Sequence, residues 1–282
     1  MKHFLIYTNV HKDSGFAVTG RICRFLRERG CDVVTVTGEK NSLGESDSPA
    51  ALENVDCMLV LGGDGTILRA VREIRDLQIP ILGVNLGTLG FMTEVEPEHI
   101  EEALTQVLAG DIARQERMML RAAVERKDGE NQEQWALNDV VVSRRGSLQI
   151  NDFDIYVNDR FLKRYSADGV IVSTPTGTTG YNLSAGGPIA APDTRLMIIT
   201  PICPHTLNQR SIILSPEDRI VIEIPEGREG GRQEMEANFD GSGRTGMHTG
   251  DRITITRSEK EAVFLKLNKV SFLENLRRKM KE

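Results

Sequence analysis

A chain of 282 residues with 39% apolar and 27% charged side chains has the composition of a folded protein, long enough for one large domain or two ordinary ones, and two are expected. Its net charge of −6 argues against bulk nucleic-acid binding, because an anionic partner must then be met by local basic groups and backbone amides. Cys23, Cys31, Cys57 and Cys203 lack CxxC spacing and no secretory leader precedes them, which favours reduced thiols in a cytoplasmic protein; five scattered histidines suggest no metal site.

In chain order, "HFLIYTN" reads as a first strand. "GFAVTGRICRFLRERG" reads as a helix with Phe16, Thr19, Ile22, Cys23 and Leu26 on one face, stopped at Gly30. "CDVVTVT" and "VDCMLVL" are the second and third strands. Ile67, Leu68, Val71 and Ile74 repeat at helical spacing, "IPILGVN" is a fourth strand, and Pro97 opens a helix over about Glu96 to Leu108 that ends near Gly110. Alternating strands and helices predict a parallel sheet, with ligands beyond the C-terminal ends of its strands. Past Asp111 the period becomes two, in "FDIYV", "DRIVIEI", "DRITITR" and "AVFLKL", the pattern of antiparallel sheets with one covered face. The expected fold is an α/β N-terminal domain with a parallel, Rossmann-like sheet over residues 1–110. A mostly-β, sandwich-like domain follows over 111–282, its last ~25 residues free to pack back on the first domain. "FLENLRRKMKE" reads as a short basic helix, either packed or a solvated tail. Trp135 reads as core or interface packing, His205 as a hydrogen-bonded structural histidine and His248 as solvated.

Three stretches carry chemistry. In "LVLGGDGTILRA" a strand runs into a two-glycine turn and places Asp64 at the mouth of a helix, where bare amides and the helix dipole attract anions. A carboxylate there either caps the helix or serves a metal or a proton transfer. The turn lacks the Gly-Lys-Ser/Thr of a Walker A loop and the GxGxxG of a hydride-transfer site. "DGVIVSTPTGTTGYNLSAGGP", Asp168 to Pro188, belongs to a run of 24 residues, Gly169 to Pro192, without a charge, too polar to span a membrane. Its hydroxyls, glycines and tyrosine suit the lining of a cleft for a base and a ribose better than an ordinary surface loop. In "ALNDVVVSR", Asn138 and Asp139 interrupt an apolar run; they read equally as a cap or turn and as partners for a base edge and a ribose.

Together "GGDGT", "ALNDVVV" and "DGVIVSTPTGTTGYNLSAGGP", with "VNLGTLGFMTE" and "PICPHTLNQRSIIL", resemble the NAD kinase family over nearly the whole chain. "GGDGT" alone is shared with lipid kinases, and the long hydroxyl-rich segment is the specific part. The resemblance implies transfer of the γ-phosphoryl group of ATP, or of polyphosphate, to the adenosine 2′-hydroxyl of NAD, giving NADP. Asp64 would be the base that takes the hydroxyl proton. Gly62 and Gly63 would admit phosphate. Asp64, Gly65, Asn138, Asp139, Asp168, Thr179, Gly180, Tyr181, Asn182, Leu183, Ser184 and Asp240 would bind NAD, with Tyr181 beside the base and Asp168 and Asp240 toward the nicotinamide half. The site would lie in the crevice between the domains. A divalent ion, Mg2+, would travel with ATP, the protein contributing no metal ligands, and the assembly would be a cytoplasmic homodimer or homotetramer. A diacylglycerol-type lipid kinase and a non-catalytic dinucleotide sensor with Asp64 as a mere cap are the rival readings. The family commonly has Glu at Asp139 and Ala at Gly180. Many bacterial members have Arg at Ser166, a role for which Arg164 or Lys163 is expected to substitute here.

Overall fold

The computed structural model describes residues 1–38, 54–74, 79–88, 90–127, 129–146, 150–206, 210–227, 230–267 and 271–281. Parts of three quoted segments, Leu89, residues 207–209 and Glu282, lie outside them. The chain divides into two compact units, Met1–Glu116 with Ala262–Glu282, and Arg117–Glu261.

In the first unit, β1 (His3–Thr8), β2 (Asp32–Thr37), β3 (Cys57–Gly62) and β4 (Ile81–Asn85) form a parallel sheet in the order β2-β1-β3-β4. β3 and β4 are buried along their whole length, as expected where helices cover both faces. The helices are α1 (Ala17–Arg27), α2 (Asp64–Glu73) and α3 (Ile100–Ala109), the last preceded by a single 3-10 turn at Pro97–His99 and closed by Gly110 at φ 80°. Phe4, Ile6, Ile22, Leu26, Leu59 and Leu104 belong to one core cluster, each contributing ~1.5–3 kcal/mol by burial. Phe16 departs from the expected helical face. The Asp13 carboxylate accepts the N–H groups of Val18 (3.0 Å) and Thr19 (2.9 Å), so α1 begins after Phe16, which sits left-handed at φ 56° and 46% exposed. Phe25 is buried on α1 in its stead.

The second unit holds two antiparallel sheets. One contains β8 (Asn151–Val157), β9 (Arg160–Ala167), β13 (Ile220–Glu223) and β16 (Arg252–Lys266), with β5 (Ala113–Glu125) and β6 (Gln132–Ala136) attached. The other runs β12 (Ile212–Leu214), β11 (Met197–Ile202), β10 (Gly169–Ser173), β7 (Asp139–Arg144), β14 (Glu234–Phe239) and β15 (Gly243–His248). Residues two apart on facing strands, such as Phe153/Ile155, Ile220/Ile222, Val140/Val142 and Val170/Val172, share one core cluster, which makes this unit a sandwich. "DRITITR" and "AVFLKL" are a single strand, β16, whose far end belongs to the first unit, where Phe264 pairs parallel with Ile81. Trp135 is 39% exposed on β6, which removes the core alternative and leaves interface packing, and His205 is exposed rather than buried. His248 lies on β15, half-buried, with its Nδ1 3.8 Å from the Asp251 carboxylate. Among the described residues no helix is long and apolar enough to cross a membrane.

Candidate active site

In the first unit, β3 ends at Gly62, and α2 starts two residues later, at Asp64. A Cβ on Gly62 would lie 2.2 Å from Thr66 Oγ1, so the strand end and the first helical turn meet too closely for any side chain. Gly63 occupies the N-cap position, leaving Asp64 as the first helical residue. The Asp64 carboxylate does not cap α2. It accepts the N–H groups of Phe91 (2.8 Å) and Met92 (3.0 Å), in the segment after β4. Gly90 makes that seat: a Cβ there would stand 1.9 Å from Asp64 Oδ1. Gly90→Ala should therefore displace the carboxylate and, in the catalytic role that the family resemblance implies for Asp64, lower kcat by at least ~10-fold, the kind of loss that a small misplacement of a reacting group brings. Unchanged turnover with normal thermal stability would refute that seating.

Around Asp64 lies a cavity of about 480 Å3 whose walls include Lys12, Gly63, Arg69, Thr88 and Lys279. Lys12 was not legible as a site residue in the sequence. Its turn is fixed by backbone bonds from Lys12 and Asp13 to the Asn9 carbonyl (both 3.0 Å), and its Nζ would stand 3.1 Å from a Cβ on Gly63 and 3.7 Å from one on Gly87. The available signal was its place in the loop four residues after β1, at the C-terminal end of a parallel strand. Lys279 comes from α5 (Phe272–Lys279), the helix read from the closing segment, whose N-cap Ser271 Oγ accepts the Glu274 N–H at 3.1 Å. Its Nζ lies 5.1 Å from the centroid of the Phe91 ring. Three cations and the amino end of α2 therefore line one cavity with a carboxylate, an arrangement suited to anionic phosphate beside a proton acceptor. A larger cavity of about 720 Å3, walled by Phe16, Arg24, Arg27 and Thr35, contains none of the candidate catalytic or NAD-binding residues.

In the second unit, Asn138 precedes β7 and Asp139 begins it. Asp139 is 5% exposed; burial, reinforced by the neighbouring Asp240 carboxylate, pushes its carboxyl up to about 7. Asn138 Oδ1 is buried without a hydrogen-bond partner. An acceptor left in that state costs ~1–3 kcal/mol unless a ligand donor meets it. The hydroxyl-rich segment leaves β10 through Thr174 and Pro175, makes a 3-10 turn at Thr176–Thr179 and continues into the single-turn α4 (Tyr181–Ser184). It returns to the same pair. A Cβ on Gly177 would lie 2.1 Å from the Asn138 carbonyl oxygen, and one on Gly180 3.4 Å from Asn138 Nδ2 and 4.0 Å from Asp139 Oδ2. Tyr181, Leu183 and Ser184 are exposed and Thr179 is half-buried, whereas Asn182 is fully buried. The Asn182 amide donates to the Pro188 carbonyl (3.0 Å) and accepts from Thr200 Oγ1 (2.7 Å), which ties the segment to β11. Asp168 Oδ1 accepts from Arg144 Nε at 3.1 Å.

Residues 4–112 match the family model described as ATP-NAD kinase N-terminal domain, and residues 137–267 match that of the ATP-NAD kinase C-terminal domain. The NAD kinase of Lachnospira eligens is 45% identical over 99% of this chain and 100% of its own length. The chain belongs to the NAD kinase family. The NAD kinase of Caldanaerobacter subterraneus is 38% identical over the full length of both chains. Among solved structures, yeast NADH kinase complexed with NADH superposes with a TM-score of 0.85 at 25% identity, covering 98% of this chain and 86% of that one. An NAD kinase from Archaeoglobus fulgidus in complex with ATP gives 0.76 at 29% identity, covering 100% and 99%.

Ser166 stands two residues before Asp168, and the cation beside Asp168 comes from another strand. Arg164 donates through two nitrogens, both at 2.6 Å, to the Asp154 carboxylate across the β8–β9 pair, and Lys163 sits 4.8 Å from the Tyr165 ring centroid. Arg144, from β7, is the residue that reaches Asp168. The sequence placed it in an ordinary strand run, and only the pairing of β7 with β10 brings it near.

Proposed function

We propose that this chain phosphorylates NAD, moving the γ-phosphoryl group of ATP to the adenosine 2′-hydroxyl and releasing NADP and ADP. The observation that carries the reading is the Asp64 carboxylate, held by two backbone amides at the edge of a cavity walled by Lys12, Arg69 and Lys279. Asp64 removes the proton from the attacking hydroxyl. Lys12, Lys279 and the amides at the start of α2 hold the triphosphate and offset the charge that gathers on its oxygens. Gly63 and Gly65, which line the cavity, let phosphate and ribose approach the backbone, whereas Gly62, expected to do the same, is taken up by the packing of β3 on Thr66 of α2.

The dinucleotide is assigned to Asn138, Asp139, Asp168 and the 179–184 segment. Asn138 Oδ1 supplies an acceptor for a base amino group, Asp139 a carboxylate for ribose hydroxyls, Tyr181 an aromatic face and Asp168, steadied by Arg144, an acceptor toward the nicotinamide carboxamide. Support comes from the family, from NADH and ATP in the two solved relatives, and from the unpartnered Asn138 oxygen. By family resemblance the reading extends to Mg2+–ATP as the donor substrate, a homodimer or homotetramer, and a cytoplasmic location. Light scattering of the purified protein tests the assembly; a monomer at assay concentration would refute it.

The decisive assay incubates the protein with NAD, ATP and Mg2+ and detects NADP with an NADP-specific dehydrogenase. No NADP from ATP or polyphosphate would reject the reading. Because Lys12 is assigned to phosphate, Lys12→Met should raise KM for ATP by about 10–100-fold, the loss expected for a hydrogen bond between charged groups, and leave KM for NAD within about twofold. An unchanged KM for ATP would remove Lys12 from the phosphate site.

A further inference from the structure

The backbone of residues 137–139 is engaged on both sides. Its three N–H groups all donate to one carboxylate: Leu137 to Asp240 Oδ2 (2.8 Å), and Asn138 (2.7 Å) and Asp139 (3.2 Å) to Asp240 Oδ1. Its three carbonyls are also taken. Thr174 Oγ1 donates to Leu137 O (2.6 Å), Thr174 N–H to Asn138 O (2.9 Å), and Asp240 N–H to Asp139 O (3.1 Å). Asp240 itself stands at φ 50° in the turn between β14 and β15, followed by Gly241 at φ 72°. Asp and Gly are the residues that tolerate such a left-handed pair in a tight hairpin.

We infer that Asp240 is a positioning residue, a carboxylate brace that fixes the Asn138–Asp139 backbone and thereby aims both side chains at the dinucleotide, rather than a contact to its nicotinamide half. The inference rests on the proposed NAD kinase reading. A carboxylate has about four lone-pair sites, and three are directed at backbone amides of a single tripeptide. The tripeptide is held from the opposite side by Thr174, and Gly177 leaves the room this needs, since a Cβ there would fall 2.1 Å from Asn138 O. With every backbone polar group of the tripeptide matched, Asn138 Oδ1 is a buried atom left without a partner, and it belongs to the side chain offered to substrate. A brace of this kind lowers the ordering needed on binding, so its loss weakens every ligand that uses the pair.

The test compares NAD with ADP-ribose, which keeps the adenosine half and lacks nicotinamide, by calorimetry on the wild type and Asp240→Asn. An Asn keeps the turn conformation but sets an amide N–H2 against backbone donors. The brace predicts that affinity for NAD and for ADP-ribose falls together by about 10–100-fold, with KM for NAD rising while kcat and KM for ATP stay within about threefold. Loss confined to NAD would restore Asp240 to a nicotinamide contact, and unchanged affinity for both would remove it from the site; either overturns the inference. Thr174→Val, which deletes the opposite side of the clamp, is the second variant and should give the same joint loss. If it spares ADP-ribose, the clamp is refuted even where Asp240→Asn fails to fold. Failure of the wild type itself to bind NAD or make NADP would reject the parent reading instead.

Discussion

Replacing Asp64 by Asn should lower kcat by about 10²–10⁴-fold, the range for losing a general base, while NAD should continue to bind with affinity within a few-fold of the wild type. The geometry makes this substitution informative. Both carboxylate oxygens of Asp64 accept a backbone N–H, from Phe91 at 2.8 Å and Met92 at 3.0 Å, so the side chain is held in one orientation before substrate arrives. An Asn keeps the size of the group but presents one N–H2 to a donor, at a stability cost of ~1–3 kcal/mol. The two effects are separable. Thermal unfolding reads the second, and single-turnover NADP formation at saturating NAD and ATP reads the first. Turnover within tenfold of the wild type would end the assignment of Asp64 as base, and loss of NAD binding would make it a binding residue.

Asp139→Asn should raise stability and impair NAD use at the same time. Burial and the Asp240 carboxylate hold the Asp139 carboxyl at about 7, well above its unfolded value, and Tyr181 is the other titratable group that senses its charge. The folded protein therefore binds a proton that the unfolded chain has released. Stability is greatest below the ordinary carboxylate range, declines as pH rises toward 7, and has lost this contribution fully above 7. An Asn removes the penalty, so the variant should melt several degrees above the wild type at pH 8 and close to it at pH 4. Activity has the opposite sign. The ionised carboxylate makes stronger hydrogen bonds to ribose hydroxyls than an amide does, so kcat/KM for NAD should fall by about 10–100-fold at pH 8, the difference narrowing at pH 5.5, where Asp139 is protonated. A variant no more stable at pH 8, or one whose kcat/KM deficit is the same at both pH values, would show that Asp139 does not titrate near neutrality.

Several parts of the molecule were readable from local pattern alone. The period of two in "FDIYV" and "DRIVIEI" fixed β8 and β13, and the helical spacing of Ile67 and Val71 fixed α2, because burying one face needs no knowledge of partners. "GGDGT" announced a strand-to-helix turn with a carboxylate at the start of the helix. Phe16 was misplaced because a side-chain bond from Asp13 to the N–H groups of α1, rather than hydrophobic spacing, decides where that helix starts.

Sequence by itself determined the classes of strand and helix, the family and the residue types that carry the chemistry, since these follow from periodicity and from short contiguous motifs. Tertiary structure alone decided how those residues are used. It set Asp64 against Phe91 and Met92, 27 and 28 residues away, and Asp240 against a tripeptide about a hundred residues earlier. It also brought Lys12 to the glycine turn and Arg144, not Arg164, to Asp168. The physical reason is that a hydrogen bond or an ion pair depends on separations of about 3 Å in space, and chain closure between distant segments leaves no periodic trace in the residues it joins.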